Sequence, residues 1–368
     1  MKTVCKENLC NACTACSVIC PKKCINIVTT IRSTNAIIDI NKCIDCNLCK
    51  KVCPQINKID KISINEGYYM YSKNEDIRKK SSSGGIATLL TNNFINEHNY
   101  VTGVIFQPET KDFEMELFNN YSSNQFRGSK YVKANLNNVY KDIIEKLIND
   151  KKVLFIGTPC QVAGIINLAK YKKCDKNLFT VDLICHGTPS QEIFNKFISQ
   201  YNIDIGKVER INFRNHHVMQ ISFNDFETLE KYKVMDTYMI GFLNSLFYTD
   251  NCYECQFASS QRCSDITIGD AWGNDEVVNG MSLVLINTSK GRELFRLISS
   301  DCYIEKADIS KSIKNNGQLA FPSIKPTKQR ESFYKNYYKR SFNSNIALLY
   351  PKIYLKQQIK KIIYRRIS

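Results

Sequence analysis

The 368-residue sequence lacks any apolar run of the roughly 18 residues that a membrane-spanning helix requires. Its first residues, MKTVCKENLC, also lack the apolar segment of a secretory signal peptide. Zinc-finger, RNP and helix-turn-helix signatures are missing as well, which argues against nucleic acid as a partner despite a formal net charge of +16. We therefore expect a cytoplasmic protein with no nucleic-acid partner.

Cysteine, in contrast, is abundant, with 17 residues. Eight of them form two runs of identical spacing, Cys-x-x-Cys-x-x-Cys-x-x-x-Cys-Pro, over residues 10–21 and 43–54. This spacing is typical of a two-cluster ferredoxin, in which the fourth cysteine of each run crosses to the other [4Fe-4S] cluster. The predicted ligands of one cluster are Cys10, Cys13, Cys16 and Cys53. Those of the other are Cys43, Cys46, Cys49 and Cys20.

Structural zinc is the alternative for these two runs. Zinc sites usually take four ligands in two pairs, a pattern that two identical four-cysteine runs ending in Cys-Pro do not follow. Iron-sulfur clusters also need reduced thiolates, and so a reducing compartment, which agrees with the expected location.

The length of the chain predicts two or three domains. We predict an α+β fold, in which a small two-cluster ferredoxin domain over residues 1–60 precedes a larger α/β flavin-binding domain with a mixed sheet. The larger domain covers residues 61–330, with an N-terminal part over 61–150 and a C-terminal part over 151–330. Residues 331–368 are predicted to form a basic amphipathic tail.

A Ser/Gly loop is the first feature of the larger domain. Ser81, Ser82, Ser83, Gly84 and Gly85 precede apolar residues at positions 86, 89, 90 and 94, a spacing that predicts a helix. Backbone amides and the positive end of a helix dipole would favour a phosphate there, with basic residues at 78–80 just ahead. A flexible linker or an ordinary serine cap is the alternative.

Two strand-loop-helix units follow a predicted hairpin over 100–106 and 113–118. In the first, a strand over 153–156 leads into Gly157, Thr158, Pro159 and Cys160. In the second, a strand over 179–184 leads into Cys185, His186 and Gly187. Two such units in succession predict a parallel pair whose carboxyl ends border a ligand crevice, with both cysteines lining it. Alternatively, these cysteines are buried and only fill space in the core, as small apolar residues do.

Cys252-x-x-Cys255 has three interpretations: a redox pair, half of a zinc site, or two cluster ligands. If they are cluster ligands, Cys160, Cys185, Cys252 and Cys255 would hold a third [4Fe-4S] cluster, with Cys263 as a rival fourth ligand. The adjacent His216 and His217 point to opposite faces of a predicted strand, so we do not expect them to share a metal.

The tail carries nine Lys or Arg and one Glu, half of the net charge of the chain. Pro351 is suited to start a helix in which apolar residues fall on one face and basic residues on the other. Such a helix suits an anionic membrane surface, and this would place the protein at the inner face of the membrane. A solvated helix or a partner-docking helix is the alternative.

Eight motifs occur in an order that resembles the coenzyme F420 hydrogenase/dehydrogenase beta-subunit family. They are the cysteine runs, SSSGG, GSKYV, GTPCQ, CHGTPS, CYEC, SDITIGDAWG and SLVLINTSKG, and together they span about residues 5–325. The resemblance implies an iron-sulfur flavoprotein in which FAD lies between the clusters and a reducible substrate. The residues expected near the flavin are Ser81, Ser82, Ser83, Gly84, Gly85, Ser129, Lys130, Tyr131, Gly157, Thr158, Pro159, His186 and Gly187.

We therefore expect an oxidoreductase that exchanges electrons with a carrier such as ferredoxin and reduces an organic acceptor. The family also includes bacterial members linked to surface-polysaccharide assembly, so the expected acceptor is a small molecule or a lipid-linked saccharide. A non-catalytic electron-transfer subunit is the alternative. The segment FRNHHVMQ departs from the family's pattern of an aspartate and a Gly-Trp pair after Phe-Arg, and coenzyme F420 is not carried over as substrate.

The paired runs predict about eight irons in the N-terminal unit, four for each cubane. Replacement Cys13→Ser should lower the iron content, which anaerobic purification and metal analysis would measure. Unchanged iron in this variant, or zinc in place of iron, would contradict the cluster interpretation.

Overall fold

The computed structural model describes residues 2–64, 66–120, 126–214, 219–224, 227–228, 234–272 and 280–367. At 227–228 and 366–367 the description covers the backbone only. The His216-His217 pair lies outside the described residues.

After the N-terminal unit, the described residues form strands and helices in a mixed order. The strands are β1 (Ile25–Thr29), β2 (Thr34–Ile38), β3 (Ile62–Ser63), β4 (Glu66–Ser72), β5 (Asn99–Gln107), β6 (Asp112–Phe118), β7 (Lys152–Gly157), β8 (Leu178–Leu183), β9 (Ile211–Asn212), β10 (Ser222–Phe223), β11 (Glu227–Thr228), β12 (Gln261–Arg262), β13 (Ile266–Asp270), β14 (Ser282–Ile286) and β15 (Cys302–Lys306). The helices are α1 (Ala15–Ile19), α2 (Leu48–Val52), α3 (Glu75–Lys79), α4 (Ile86–Phe94), α5 (Val139–Ile148), α6 (Pro159–Tyr171), α7 (Gln191–Ile198), α8 (Thr237–Leu243), α9 (Ser289–Ile298), α10 (Ile309–Asn315), α11 (Thr327–Lys335), α12 (Phe342–Leu349) and α13 (Pro351–Ile367).

An eight-stranded mixed sheet forms the centre of the larger domain, in the order β15-β4-β14-β13-β8-β7-β5-β6. Strands β5, β7, β8 and β13 run parallel to their neighbours in this group, whereas β6, β14, β4 and β15 join antiparallel. The predicted mixed sheet is therefore confirmed, as are the hairpin of β5 and β6 and the parallel pairing of β7 with β8.

Helices cover both faces of this sheet. Along β7, Val153 and Phe155 pack with α5 and α6 in one cluster, whereas Leu154 packs with α4 and α9 in another. This alternation follows from the two-residue period of a strand, and it explains why β7 is a continuous apolar run rather than an alternating one.

A third core, rich in aromatic residues, contains the C-terminal helices. Phe333 on α11 and Phe342 and Ile346 on α12 are buried there against Phe197 and Tyr238. Residues 331–349 of the predicted tail are therefore part of the packed body, and the exposed tail begins with α13. None of the described helices has both the length and the apolarity that crossing a membrane requires.

The N-terminal unit packs against α6 through an unusually close approach. A Cβ atom at Gly164 would lie 2.8 Å from Sγ of Cys13, so this position requires glycine. Hydrogen bonds also join the unit to the larger domain. Among them, Asn167 Nδ2 donates to the Asn57 carbonyl at 2.8 Å, and Gln256 Nε2 donates to the Pro54 carbonyl at 2.7 Å.

A buried ion pair fixes the loop that follows Cys255. Arg262 Nη2 lies 2.9 Å from Oδ1 of Asp182 on β8, with exposed side-chain fractions of 2% and 0%. The same guanidinium donates to the carbonyls of Phe257 and Ser259, both at 3.1 Å. Because an unpaired charge in the core is costly, this pair ties the loop to the sheet.

Replacement Arg262→Ala should lower the free energy of unfolding by about 3–5 kcal/mol, because it leaves the Asp182 carboxylate buried without its partner. Denaturant unfolding under anaerobic conditions would measure the change. Replacement Arg292→Ala is the matched control, because its pair with Glu66 is partly exposed, at 47% and 31%, and such pairs contribute little. Equal losses in the two variants would contradict a special role for the buried pair.

Candidate functional site

The two cysteine runs share one backbone conformation. Two and four residues after its first cysteine, each run is left-handed, with φ of 61° and 62° at Ala12 and Thr14 and of 50° and 58° at Asp45 and Asn47. This conformation is unfavourable for residues other than glycine and tends to occur at functional sites. Here it turns backbone N–H groups toward the thiols, as in the 3.4 Å contact from Ala12 N to Cys10 Sγ.

A first cavity is lined by residues of both runs. The four cysteines predicted for one cluster, Cys10, Cys13, Cys16 and Cys53, border it, and all four are buried. The fourth cysteine of the second run therefore crosses to the first run. The structure brings together the four cysteines predicted for one cluster, and their role as ligands remains a prediction.

A second cavity has the complementary set. It is bordered by Cys20, Cys43, Cys46 and Cys49. Cys46 is exposed and the other three are partly buried, so this cavity lies nearer the protein surface than the first. Among the described residues, no three His, Cys, Asp or Glu side chains form a group suited to a single metal ion. At each cavity, the four cysteines from the two runs fit the donor set of a cubane cluster.

Two further cysteines border these cavities, and sequence reasoning missed both. Cys5 lines the first cavity, and its hydrogen bond is the main reason why the pKa of Cys10 falls to about 7. Cys24 lines the second, with its Sγ 3.4 Å from that of Cys20. They lie five residues before Cys10 and four after Cys20. Their closeness to the two runs in the sequence could have suggested a place near the clusters. Spacing alone, however, could not show that their thiols face the two cavities.

A third group of thiols lies at the carboxyl ends of β7 and β8. Cys160 occupies the first turn of α6, and Cys185 follows β8. The segment with Cys252 reaches them because Thr249 N donates to the Thr188 carbonyl at 3.0 Å, just beyond Cys185. Parallel strands bring these loops to one edge of the sheet, as the sequence predicted.

The pKa values of these thiols indicate their proximity. Burial raises the pKa of Cys185, and the charges of Cys252, Cys160 and Cys255 raise it further. Burial likewise raises the pKa of Cys255 to about 12, with added contributions from Cys160 and Cys252. The structure therefore gathers the four cysteines predicted for a third cluster, although it leaves their ligand role untested. The rival, Cys263, shares Cys160 as a neighbour but lies beside Asp182 and Arg262.

The first cavity and the third group are adjacent. Asn11, between Cys10 and Cys13, donates from Nδ2 to the carbonyl of Cys160 at 3.3 Å. The charge of the buried Lys133 acts on both groups. It adds to the hydrogen bond of Cys5 in lowering the pKa of Cys10, and it partly offsets the burial that raises the pKa of Cys160. Sequence reasoning assigned no role to Asn11 or Lys133, because neither belongs to a cysteine motif.

The Ser/Gly loop meets the second predicted flavin segment. Ser129 N donates to Ser82 Oγ at 2.8 Å, so the two segments lie together. Gly85 begins α4 with a left-handed φ of 81°. Gly84, however, faces the sheet, because a Cβ there would lie 2.3 Å from the Met70 carbonyl oxygen. A substitution at Gly84 would therefore disturb packing whether or not a phosphate binds there.

The cations ahead of this loop already have partners. Lys79 pairs with Glu75 at 2.7 Å and Lys80 with Asp76 at 2.8 Å, both within α3 and its C-terminal residue. Arg78 lies 4.7 Å from the ring centre of Tyr71. The electrostatic attraction for a phosphate is therefore weaker than the sequence predicted, because acidic residues of the same helix offset two of the three charges.

Lys130 and Tyr131 lie at the edge of a polar cluster. Lys130 Nζ donates to the carbonyls of residues 126, 127 and 128 at 2.9–3.1 Å, and burial lowers its pKa to about 7. Tyr131 faces an ion pair between Arg214 and Asp270, whose atoms are 2.8 Å apart. Asp270 ends β13, so this pair lies at the same sheet edge as the third thiol group. Sequence reasoning missed the pair, because its partners are 56 residues apart.

The remaining predicted flavin residues form the two loops of this edge. Thr158 caps α6 in a capping box with Gln161, and Pro159 takes the first helical position. His186 is exposed, and its carbonyl accepts a hydrogen bond from Ser323 Oγ at 2.5 Å. Gly187 has φ 139°, and a Cβ there would lie 2.3 Å from the Tyr248 ring. Thr158, Pro159 and Gly187 therefore have structural roles that hold without any cofactor.

These features describe a mixed α/β protein with thiol groups at two cavities and one sheet edge. Residues 150–312 match the family described as the C terminus of the beta subunit of coenzyme F420 hydrogenase/dehydrogenase. This match confirms the resemblance predicted from the motifs. The family is associated with oxidoreductases and supports a redox role in the broad sense.

Among solved structures, the chain is similar to one from the F420-reducing [NiFe] hydrogenase complex of Methanosarcina barkeri, studied by xenon derivatization. The identity is 17% and the TM-score 0.49, over 73% of this chain and 98% of that chain. The comparison with curated proteins finds no match.

Replacements at Cys20 and Cys24 should separate a ligand from its neighbour at the second cavity. We expect Cys20→Ala to lower the iron content by about four per chain and Cys24→Ala to leave it unchanged, because only the former belongs to a cubane ligand set. Iron analysis and the low-temperature EPR spectrum of the reduced protein would measure this. Loss of iron in Cys24→Ala with retention in Cys20→Ala would reverse the assignment.

Proposed function

We propose that the chain is an iron-sulfur flavin-dependent oxidoreductase, in which [4Fe-4S] clusters exchange electrons with a flavin that exchanges hydride with an organic substrate. The observation that carries this proposal is the spatial order of the thiol groups. An exposed group, a buried group and a group at the sheet edge follow one another from the surface to the polar cluster around Asp270.

The residues at each position suit the proposed role. Exposed Cys46 leaves the second cavity accessible to an electron carrier such as ferredoxin. The thiols of the first cavity are buried, and the hydrogen bond from Asn11 to Cys160 links this cavity to the third group. Clusters supply one-electron transfer, and a flavin supplies the change to two-electron chemistry. A hydride carries two electrons, so each substrate turnover requires two electrons from the carrier.

The third cluster is proposed at Cys160, Cys185, Cys252 and Cys255. Its support is the convergence of these four thiols, which come from three separate loops. Cys252 has polar neighbours suited to hold a thiolate, since its Sγ is 3.5 Å from Thr249 Oγ1 and 3.9 Å from Thr188 Oγ1. Hydrogen bonds to cluster sulfurs are one means by which proteins set the reduction potential.

The flavin is proposed between this group and the Ser82–Ser129 contact. FAD is the expected flavin, on the family resemblance. The polar cluster of Tyr131, Arg214 and Asp270 would lie on the substrate side, where a protonated or hydrogen-bonding side chain can position an oxygen of the substrate. A lipid-linked saccharide in surface-polysaccharide biosynthesis is the proposed substrate class, and only the resemblance supports that refinement.

The second candidate is a non-catalytic electron-transfer subunit. The matched family is one of beta subunits, which favours a partner that performs the catalytic step. The two functions differ in what the isolated chain does. An enzyme would oxidise reduced ferredoxin with an organic acceptor, whereas a subunit would do so only when its partner is added.

The test of the third cluster is Cys252→Ala, compared with Cys174→Ala as control. Cys174 is a partly buried thiol whose Sγ donates to the Ala169 carbonyl at 3.7 Å, outside all three groups. We expect the wild type to hold about twelve irons, Cys252→Ala about eight and Cys174→Ala about twelve. Flavin reduction by reduced ferredoxin should slow at least tenfold in Cys252→Ala, measured by stopped-flow absorbance at the flavin band.

A wild type that saturates at about eight irons, with no loss in Cys252→Ala, would remove the third cluster from the proposal. A protein purified anaerobically without extractable flavin, and unable to bind added FAD, would remove the flavin. Retention of both cofactors without turnover of any acceptor would favour the electron-transfer subunit.

A further inference from the structure

Helix α13 is fixed on the body by one face. Ile353 packs against the aromatic core, and Gln357 is only 8% exposed. Gln357 Oε1 accepts a hydrogen bond from the backbone N–H of Met235 at 3.1 Å. Residues four apart lie on the same side of a helix, so these two contacts define which side of α13 faces the protein.

The opposite side of α13 is apolar and exposed. Leu355, Ile359, Ile362 and Ile363 have exposed fractions of 59%, 50%, 55% and 50%. Their spacing of three and four residues places them in one stripe along the helix. A contiguous exposed stripe of this kind differs from scattered surface apolar residues and marks a surface that another apolar phase covers.

Basic residues border this stripe. Lys352 is exposed at the N-terminal end of the stripe, the exposed Lys356 and Lys360 lie along one border, and the exposed Arg365 lies toward the other. From residue 332 to residue 368 the sequence contains no Asp or Glu. The surface around the stripe therefore carries a positive charge that no acidic residue of this segment offsets.

We propose that α13 docks the protein on an anionic membrane surface, with the stripe at the level of the lipid headgroups and the basic residues against anionic phosphates. A short helix with an apolar face and basic flanks is the physical requirement for such interfacial binding. The helix lies on the bilayer and does not span it, since its 17 residues include six basic ones.

A second copy of the chain is a poorer occupant for two reasons. Pairing two α13 helices face to face would bring their lysines together, and like charges in contact are unfavourable. Four half-exposed side chains also offer far less than the roughly 800 Å² per partner that stable protein interfaces bury. An anionic bilayer removes both objections, because it supplies opposite charge and an extended apolar phase.

Sedimentation of the full-length protein with vesicles tests the proposal, using phosphatidylcholine vesicles with and without phosphatidylglycerol. We expect binding to the anionic vesicles only, weakened by added salt because screening reduces the attraction. The triple replacement Lys352→Gln, Lys356→Gln, Lys360→Gln should lower the partition coefficient on the order of 100-fold, since each basic residue contributes about fivefold.

A second variant separates the apolar contribution from charge. The replacement Leu355→Asn, Ile359→Asn, Ile362→Asn keeps every basic residue and should abolish sedimentation, because electrostatic attraction without the stripe gives only weak binding. Ile324→Asn, at an 80% exposed apolar residue outside α13, is the control and should bind like the wild type. Iron content and far-UV circular dichroism would show that each variant is folded.

Equal binding to neutral and anionic vesicles, or wild-type binding by the Asn variant, would overturn the proposal. A wild type that binds neither kind of vesicle, but forms a dimer that the Asn variant converts to a monomer, would also overturn it. The stripe would then contact a second copy of the chain. The vesicle assay does not depend on cofactors, and its outcome is therefore independent of the redox proposal.

Discussion

The close packing of helix α6 on the N-terminal unit is the constraint on which the relation between the thiol groups depends. Gly164 allows the helix to approach within contact of Cys13, and the same helix carries Cys160 in its first turn. A side chain at position 164 would clash with Cys13, so the close approach of the helix to the N-terminal unit depends on this glycine. The contact therefore helps to set the distance between the first cavity and the third group.

The larger domain brings segments that are distant in the sequence to one edge of its sheet, beside the first turn of α6. Parallel strands β7, β8 and β13 end in Gly157, Leu183 and Asp270, so the loops that follow them meet. The hydrogen bond between Thr249 and Thr188 adds the segment with Cys252, and the Arg262–Asp182 pair anchors the chain beyond Cys255. Packing forces that are ordinary for an α/β protein thus create an unusual concentration of thiols.

Local patterns predicted much of this arrangement, and they failed where a side chain's direction was needed. The paired runs, the helix after Gly85 and the parallel pair of β7 and β8 follow from spacing and periodicity that neighbouring residues share. The orientation of Gly84 toward Met70 does not, because it depends on how α4 sits on the sheet. The sequence likewise does not predict the Arg214–Asp270 pair, because no local pattern connects the two residues.

The sequence by itself determined the repeated thiol spacing, the apolar and basic residues of α13 and the family match of residues 150–312, because each is a property of a continuous segment. Tertiary structure decided which thiols share a cavity, that Cys5 and Cys24 join them, and that 331–349 enters the core while α13 turns its apolar stripe outward. These outcomes depend on contacts between segments far apart in the chain. The free energy of such a contact depends on both segments, so neither segment alone predicts it.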